Sequence, residues 1–128
     1  MNVIYPITSI LIVDENKEHG ELLCKQLKTN NGHIVLADTT SKGWQAICEY
    51  QHDVIFIDTD AKGDEGIKLL KRLHEDDSYR RTIFVMSEYD NLSKKISSFI
   101  YGAKKYLLKP LNVNEINDEL LRIESRLI

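Results

Sequence analysis

Cysteine, proline and tryptophan are scarce in this chain of 128 residues, which holds 2, 2 and 1 of them. Two cysteines, Cys24 and Cys48, cannot build a disulfide framework, and both fall in helix-like stretches. They are expected to be small buried hydrophobes in a reducing cytoplasm. Histidines 19, 33, 52 and 74 lie far apart, show no metal-ligand spacing, and are expected at the surface or at element boundaries. No apolar run approaches the roughly 20 residues of a membrane helix, so no membrane partner is expected. The opening Met1-Asn2-Val3-Ile4-Tyr5-Pro6 lacks the charged and apolar regions of a signal peptide, which points to the cytoplasm. No strong excess of either charge exists. A net charge of -3 and a pI near 5.8 give no reason to expect direct nucleic-acid binding.

What is present fits one globular domain over residues 1–128, with 42% hydrophobic and 29% charged residues. Strand and helix patterns alternate five times, with no repeat, low-complexity tract or linker. The strands are expected at about Ser9–Val13, His33–Ala37, Asp53–Ile57, Thr82–Met86 and Lys105–Leu108. The first helix is expected from near Asn16 to Thr29, with Leu22, Leu23 and Leu27 on one side. It ends at the turn Asn30-Asn31-Gly32. Thr39, Thr40 and Ser41 are candidate caps for a helix carrying Trp44, Ile47 and Cys48. A third helix runs from about Gly66 to His74. Asp90 or Asn91 caps a fourth, which carries Leu92, Ile96, Phe99 and Ile100 inward and ends at Gly102. Asn112-Val113-Asn114-Glu115 has capping-box spacing for the last helix, whose stripe is Ile116, Leu120, Ile123 and Leu127. That helix meets no Gly or Pro stop signal, so it either frays or the chain is a piece of a longer protein. Alternating elements predict a parallel sheet with helices on both faces.

Asp58 closes the run Val54-Ile55-Phe56-Ile57, which reads as a buried strand. A carboxylate directly after such a run reaches the rim of a sheet, where open α/β folds bind ligands. Ile10-Leu11-Ile12-Val13 likewise precedes Asp14-Glu15, and Tyr106-Leu107-Leu108 precedes Lys109-Pro110. Three acids and a lysine are therefore expected at one sheet edge. Like charges held together cost energy unless a cation intervenes. The set suits a phosphoryl group and a hard divalent cation such as Mg²⁺, which takes oxygen ligands and keeps waters or phosphate oxygens. Taken singly, each residue has a plainer reading. Asp14 and Glu15 suit the first turn of a helix, Ser87 a turn or cap, Lys109 a solvated charge, and Tyr106 a strand aromatic.

Asp14-Glu15, Asp58, Ser87, Tyr106 and Lys109-Pro110 stand in the order and at the strand ends found in the receiver domains of two-component response regulators. The chain resembles that family over nearly its whole length. The resemblance implies a flavodoxin-like (βα)5 fold with a five-stranded parallel sheet in order 2-1-3-4-5. It implies that Asp58 takes a phosphoryl group from a histidine kinase or phosphotransfer protein, as a nucleophile that becomes an aspartyl phosphate. Asp14, Asp58 and the backbone carbonyl of Asp60 would hold Mg²⁺ (or Mn²⁺), with Glu15 binding directly or through water. Lys109 and Ser87 would donate to the phosphoryl oxygens, and the bond before Pro110 would be cis. Tyr106 would be a switch that turns inward when Ser87 moves toward the phosphoryl group. A downstream protein or output domain would read the fourth helix, fifth strand and fifth helix, where Lys94, Lys95 and Tyr101 are candidate contacts. The domain would assist its own phosphorylation and dephosphorylation without being an enzyme in its own right.

The sequence departs from the family in several places. Glu15 stands where Asp is commoner, and Ser87 where Thr is frequent. Glu88 follows where a small residue is usual, and Ala61-Lys62 replace Met-Pro. Lys104-Lys105 stand where acids are common, which argues for a monomer or weak dimer. These changes predict slower gain and loss of phosphate, and they motivate an alternative, a phosphorylation-impaired pseudo-receiver acting as a protein-binding module. Asp58-Thr59-Asp60 also looks like the first motif of haloacid dehalogenase-type phosphatases. The later acidic pair and cap domain of those enzymes are missing. A flavodoxin would need a phosphate loop after the first strand, which is also missing.

Overall fold

The computed structural model describes residues 2–4, 9–28, 32–76 and 80–127. Its centre is a parallel sheet built from β2 (Ser9–Val13), β3 (His33–Ala37), β4 (Val54–Asp58), β5 (Thr82–Ser87) and β6 (Lys105–Leu108), in the order β3-β2-β4-β5-β6. Counted as core strands this is the expected order 2-1-3-4-5. Every residue of β4 is buried, as the central strand of a sheet covered on both faces requires.

Alternate strand residues feed two cores. Leu11, Val13, Ile55, Ile57, Ile83 and Val85 meet Ile47 of α2 (Thr40–Glu49) and Leu69, Leu70 and Leu73 of α3 (Glu65–Glu75). Ile10, Ile12, Val54, Phe56, Phe84 and Met86 meet Leu23 of α1 (Lys17–Gln26) and Ile116 and Leu120 of α5 (Val113–Glu124). Helix starts follow the capping chemistry of the sequence. Asn16 accepts from the His19 N–H, Thr39 from Lys42, Asn91 from Lys94, and Asn112 from Glu115.

The structure corrects the sequence reading in several places. The last helix stops at Glu124. Ser125–Leu127 forms β7, which pairs antiparallel with β1 (Asn2–Ile4) in a second, two-stranded sheet. Leu127 therefore belongs to a strand and not to the apolar helix stripe. α4 (Leu92–Ile100) carries the expected stripe but turns it outward: Leu92, Ile96, Phe99 and Ile100 are 69%, 51%, 49% and 64% exposed. The inward face instead holds Lys94 and the fully buried Ser98, whose Oγ donates to the Lys94 carbonyl. Leu22 also faces outward, and Cys48 is exposed rather than core. His52, expected at the surface, is buried, with Nδ1 2.7 Å from Ser9 Oγ and Nε2 3.2 Å from the Ala46 carbonyl oxygen. That burial lowers its pKa, against the opposing pull of the Ala46 carbonyl and Asp53. Residues Thr29, Asn30 and Asn31 of the predicted first-helix end and turn lie outside the described residues.

Candidate functional site

Three strand ends converge at the carboxyl edge of the sheet. Asp58 ends β4, Asp14 follows β2, and Lys109 follows β6. The Lys109 ammonium lies 2.8 Å from Asp14 Oδ2 and 3.5 Å from Asp58 Oδ1, with both carboxylates buried and the lysine side chain only 9% exposed. It also donates to His19 Nδ1 at 3.1 Å. The Lys109 N–H donates to the Ser87 carbonyl at 2.8 Å, which ties down the turn that delivers it, and the Lys109-Pro110 bond is cis. Asp14 is oriented from its other oxygen, which accepts from the Asn16 N–H at 2.9 Å.

Burial, the Asp14 carboxylate and, more weakly, Asp60 push the Asp58 carboxyl up to about 6, against the pull of Lys109 and of the Asp60 N–H. One ammonium thus offsets only part of the repulsion between buried acids. That residual repulsion is what a divalent cation with oxygen ligands relieves, so the donor set fits Mg²⁺. Glu15 is exposed and shares a cavity of about 170 Å³ with Asp58, Ala61, Lys62 and Glu65. Among the described residues, no three His, Cys, Asp or Glu side chains already stand grouped as a metal cage.

Ser87 ends β5 and is fully buried. Its hydroxyl donates to Asp60 Oδ1 at 2.6 Å, and the Glu88 N–H donates to Asp60 Oδ2 at 2.7 Å. Ser87 Oγ in turn accepts from the Tyr89 N–H at 3.0 Å. Tyr106, half-buried on β6 against the α2–α3 core, donates its hydroxyl to the Tyr89 carbonyl at 2.7 Å. Ser87, the loop after it and Tyr106 therefore form one hydrogen-bonded chain.

Sequence reasoning missed the part that three residues play here. Lys94, expected as a surface contact, turns into the site: Nζ donates to the Thr59 carbonyl at 2.9 Å and lies 3.6 Å from Asp60 Oδ1. Asp60 enters through its carboxylate, whereas the sequence suggested only its carbonyl. The pairing of acids in Asp58-Thr59-Asp60 was the available signal. His19 joins Lys109 from α1, although nothing in its spacing marked it.

The chain matches the family described as the response regulator receiver domain over residues 10–121. It belongs to that family. Among curated relatives, this receiver is 29% identical over 119 residues to the response regulator GtcR of Aneurinibacillus migulanus, covering 93% of this chain and 47% of that protein. It is 25% identical to the KDP operon transcriptional regulatory protein KdpE of Escherichia coli, over 89% of this chain and 50% of the relative. The receiver thus spans about half the length of the curated relatives it matches. Among solved structures, it resembles the signal receiver domain of a DNA-binding response regulator from Colwellia psychrerythraea 34H with a TM-score of 0.82 at 20% identity, covering 91% of this chain and 97% of that one. A two-component response regulator from Clostridium difficile gives 0.81 at 24% identity, over 91% and 94%. These likenesses carry the fold. Receiver domains are phosphoacceptor switches that generally bind Mg²⁺ at an acidic pocket and work between histidine kinases and outputs. The family match supports the phosphoacceptor reading rather than a pseudo-receiver.

Proposed function

We propose that residues 1–128 form one receiver domain in which Asp58 is the phosphoacceptor. The observation that carries this is Lys109 Nζ held between Asp14 and Asp58 where three strands end. An Asp58 carboxylate oxygen attacks the phosphorus of a phosphohistidine or acyl phosphate. A P–O bond forms, and the bond to the donor breaks with its electron pair leaving on the donor. Lys109 donates to a phosphoryl oxygen, and the Ser87 hydroxyl to another. Asp14, Asp58, the Asp60 carbonyl and Glu15 (directly or through water) would hold Mg²⁺ or Mn²⁺, which supplies charge withdrawal and orientation of the transferring group.

The phosphodonor in this reading is a histidine kinase or phosphotransfer protein in the cytoplasm. A cleft of about 250 Å³ lined by His19, Leu22, Lys109 and Pro110 opens beside the site and supports docking there. The readout surface is α4, β6 and α5. Exposed Ile96 and Phe99 on α4, Leu108 on β6 and Leu121 on α5 support it. Lys104 and Lys105 are already paired within the chain, with Glu119 at 3.6 and 3.5 Å, which supports a monomer or weak dimer. Burial alone would raise the Glu119 pKa, but Lys105, Lys104 and Arg122 together lower it, so it stays ionised.

Intact-mass analysis after incubation with acetyl phosphate and Mg²⁺ tests the reading. A single phosphoryl adduct is expected, absent in Asp58→Asn. No adduct, or an equal adduct on the variant, ends it.

A further inference from the structure

The donors that face Asp60 are those a phosphoryl group on Asp58 would need. A tetrahedral dianion recruits a hydroxyl, a backbone N–H and a cation. Asp60 holds one of each: the Ser87 hydroxyl at 2.6 Å, the Glu88 N–H at 2.7 Å and Lys94 Nζ at 3.6 Å. Lys94 lies in the first turn of α4, where the helix dipole disfavours a cation. Its side chain is nevertheless only 17% exposed, and its second bond is to the Thr59 carbonyl, on the same loop as Asp60. Lys94 therefore ties α4 to the loop after Asp58.

The clasp at Asp60 reaches Tyr106 through a chain of hydrogen bonds. With Ser87 drawn to Asp60, its Oγ accepts from the Tyr89 N–H, and the Tyr89 carbonyl receives the Tyr106 hydroxyl. Tyr106 is thereby held against the core by an anion already present in the polypeptide. We propose that the Asp60 carboxylate is a built-in stand-in for the phosphoryl group, clasping Ser87, Glu88 and Lys94 so that the Tyr106 switch is engaged before phosphorylation. A phosphoryl group arriving on Asp58 must displace Asp60 from the Ser87 hydroxyl and the Glu88 N–H. Asp60 is thus a positioning residue that competes with the transferred group and slows its capture.

The consequence for phosphorylation rests on the Asp58 phosphoacceptor reading, while the clasp itself does not. The test uses the full chain and amide hydrogen exchange without phosphodonor or Mg²⁺, which reads the clasp directly. In the wild type the Glu88 and Tyr89 amides exchange slowly. In Asp60→Ala they lose protection at least tenfold, and the Tyr106 ring resonances shift. Asp60→Asn, which keeps one acceptor oxygen and the side-chain volume, falls between the two, and Lys94→Gln loosens the same amides. Unchanged protection in Asp60→Ala and Lys94→Gln overturns the clasp. In parallel, acetyl phosphate labels Asp60→Ala several-fold faster than wild type, and an equal or slower rate overturns the competition. If no protein in the series gains a phosphoryl group, the phosphoacceptor reading fails, and the exchange data still decide the clasp.

Discussion

Gly66 sits so close to Asp58 that a Cβ on it would strike the Asp58 carbonyl oxygen and stand 2.9 Å from Thr59 Cα. The neighbouring atoms are backbone at the end of β4, so they cannot swing aside. Gly66→Ala is expected to cost about 1–3 kcal/mol through overpacking. It would also push α3 away from the end of β4, where Asp58 stands, and phosphorylation should slow more than stability alone explains. Gly20 is the control. A Cβ there would meet Asp14 Cβ at 3.7 Å and Leu36 Cδ2 at 3.8 Å, which is ordinary contact. Gly20→Ala should be neutral or stabilise by up to about 1 kcal/mol through helix propensity. Urea unfolding of both variants reads the contrast.

The Asp58 carboxyl also sets a pH dependence. Its pKa is about 6 in the folded protein against 3.8 for an ordinary aspartate. Between those values the native state holds a proton that the unfolded chain has released. The folding advantage is therefore complete below about 3.8 and fades as pH rises through about 6. At pH 8 the ionised, partly compensated Asp58 costs the fold about 1–3 kcal/mol. Asp58→Asn should remove that slope and melt higher than wild type at pH 8, with the gap closing at pH 5. A wild type that gains stability between pH 5 and pH 8 relative to Asp58→Asn would contradict the assignment.

α4 predicts an asymmetry between its apolar and its core residues. Ile96 is 51% exposed and Leu120 of α5 is fully buried. Ile96→Ser should change stability by less than about 0.5 kcal/mol, whereas Leu120→Ala should cost about 2–5 kcal/mol. Thermal melts give the comparison. A large loss from Ile96→Ser would mean that α4 packs its stripe inward after all.

That helix also marks the limit of what sequence periodicity can say. Leu92, Ile96, Phe99 and Ile100 do share one face, as their spacing implies. Periodicity identifies a face but not the direction it points. What decides here is that Lys94 reaches Thr59 and Asp60 while Ser98 is small enough for close approach, and neither is an apolar signal. The helix caps were legible because Asn16, Thr39, Asn91 and Asn112 act on residues only three positions away. The convergence of Asp14, Asp58 and Lys109 was legible because each follows an apolar strand in a parallel sheet. The Asp60 carboxylate bonding across to Ser87 was not, since a side-chain direction in a loop leaves no periodic trace. The β1–β7 pairing was hidden for a related reason, because Leu127 continues the helical stripe in sequence while long-range pairing takes it into a strand.

Lys109 carries the remaining prediction. Its ammonium, on a side chain only 9% exposed, sits between two buried carboxylates, at 2.8 Å from Asp14 and 3.5 Å from Asp58. Replacing it with Met keeps the length and the apolar stem but leaves both acids without that compensation. Breaking a buried pair from one side costs about 3–5 kcal/mol. Part of this is recovered by protonating Asp58, whose pKa should then rise further above about 6. Lys109→Met should therefore be markedly destabilised at pH 8 and much less so at pH 5, and added Mg²⁺ should restore more stability to it than to wild type. Phosphorylation by acetyl phosphate should fall at least tenfold even with Mg²⁺ saturating, because the donor to the phosphoryl oxygens is gone. Lys109→Arg should not rescue it fully, since a planar guanidinium cannot occupy the site of a compact ammonium wedged beside His19. Equal labelling of Lys109→Met and wild type would remove Lys109 from the chemistry and leave it a structural counter-ion.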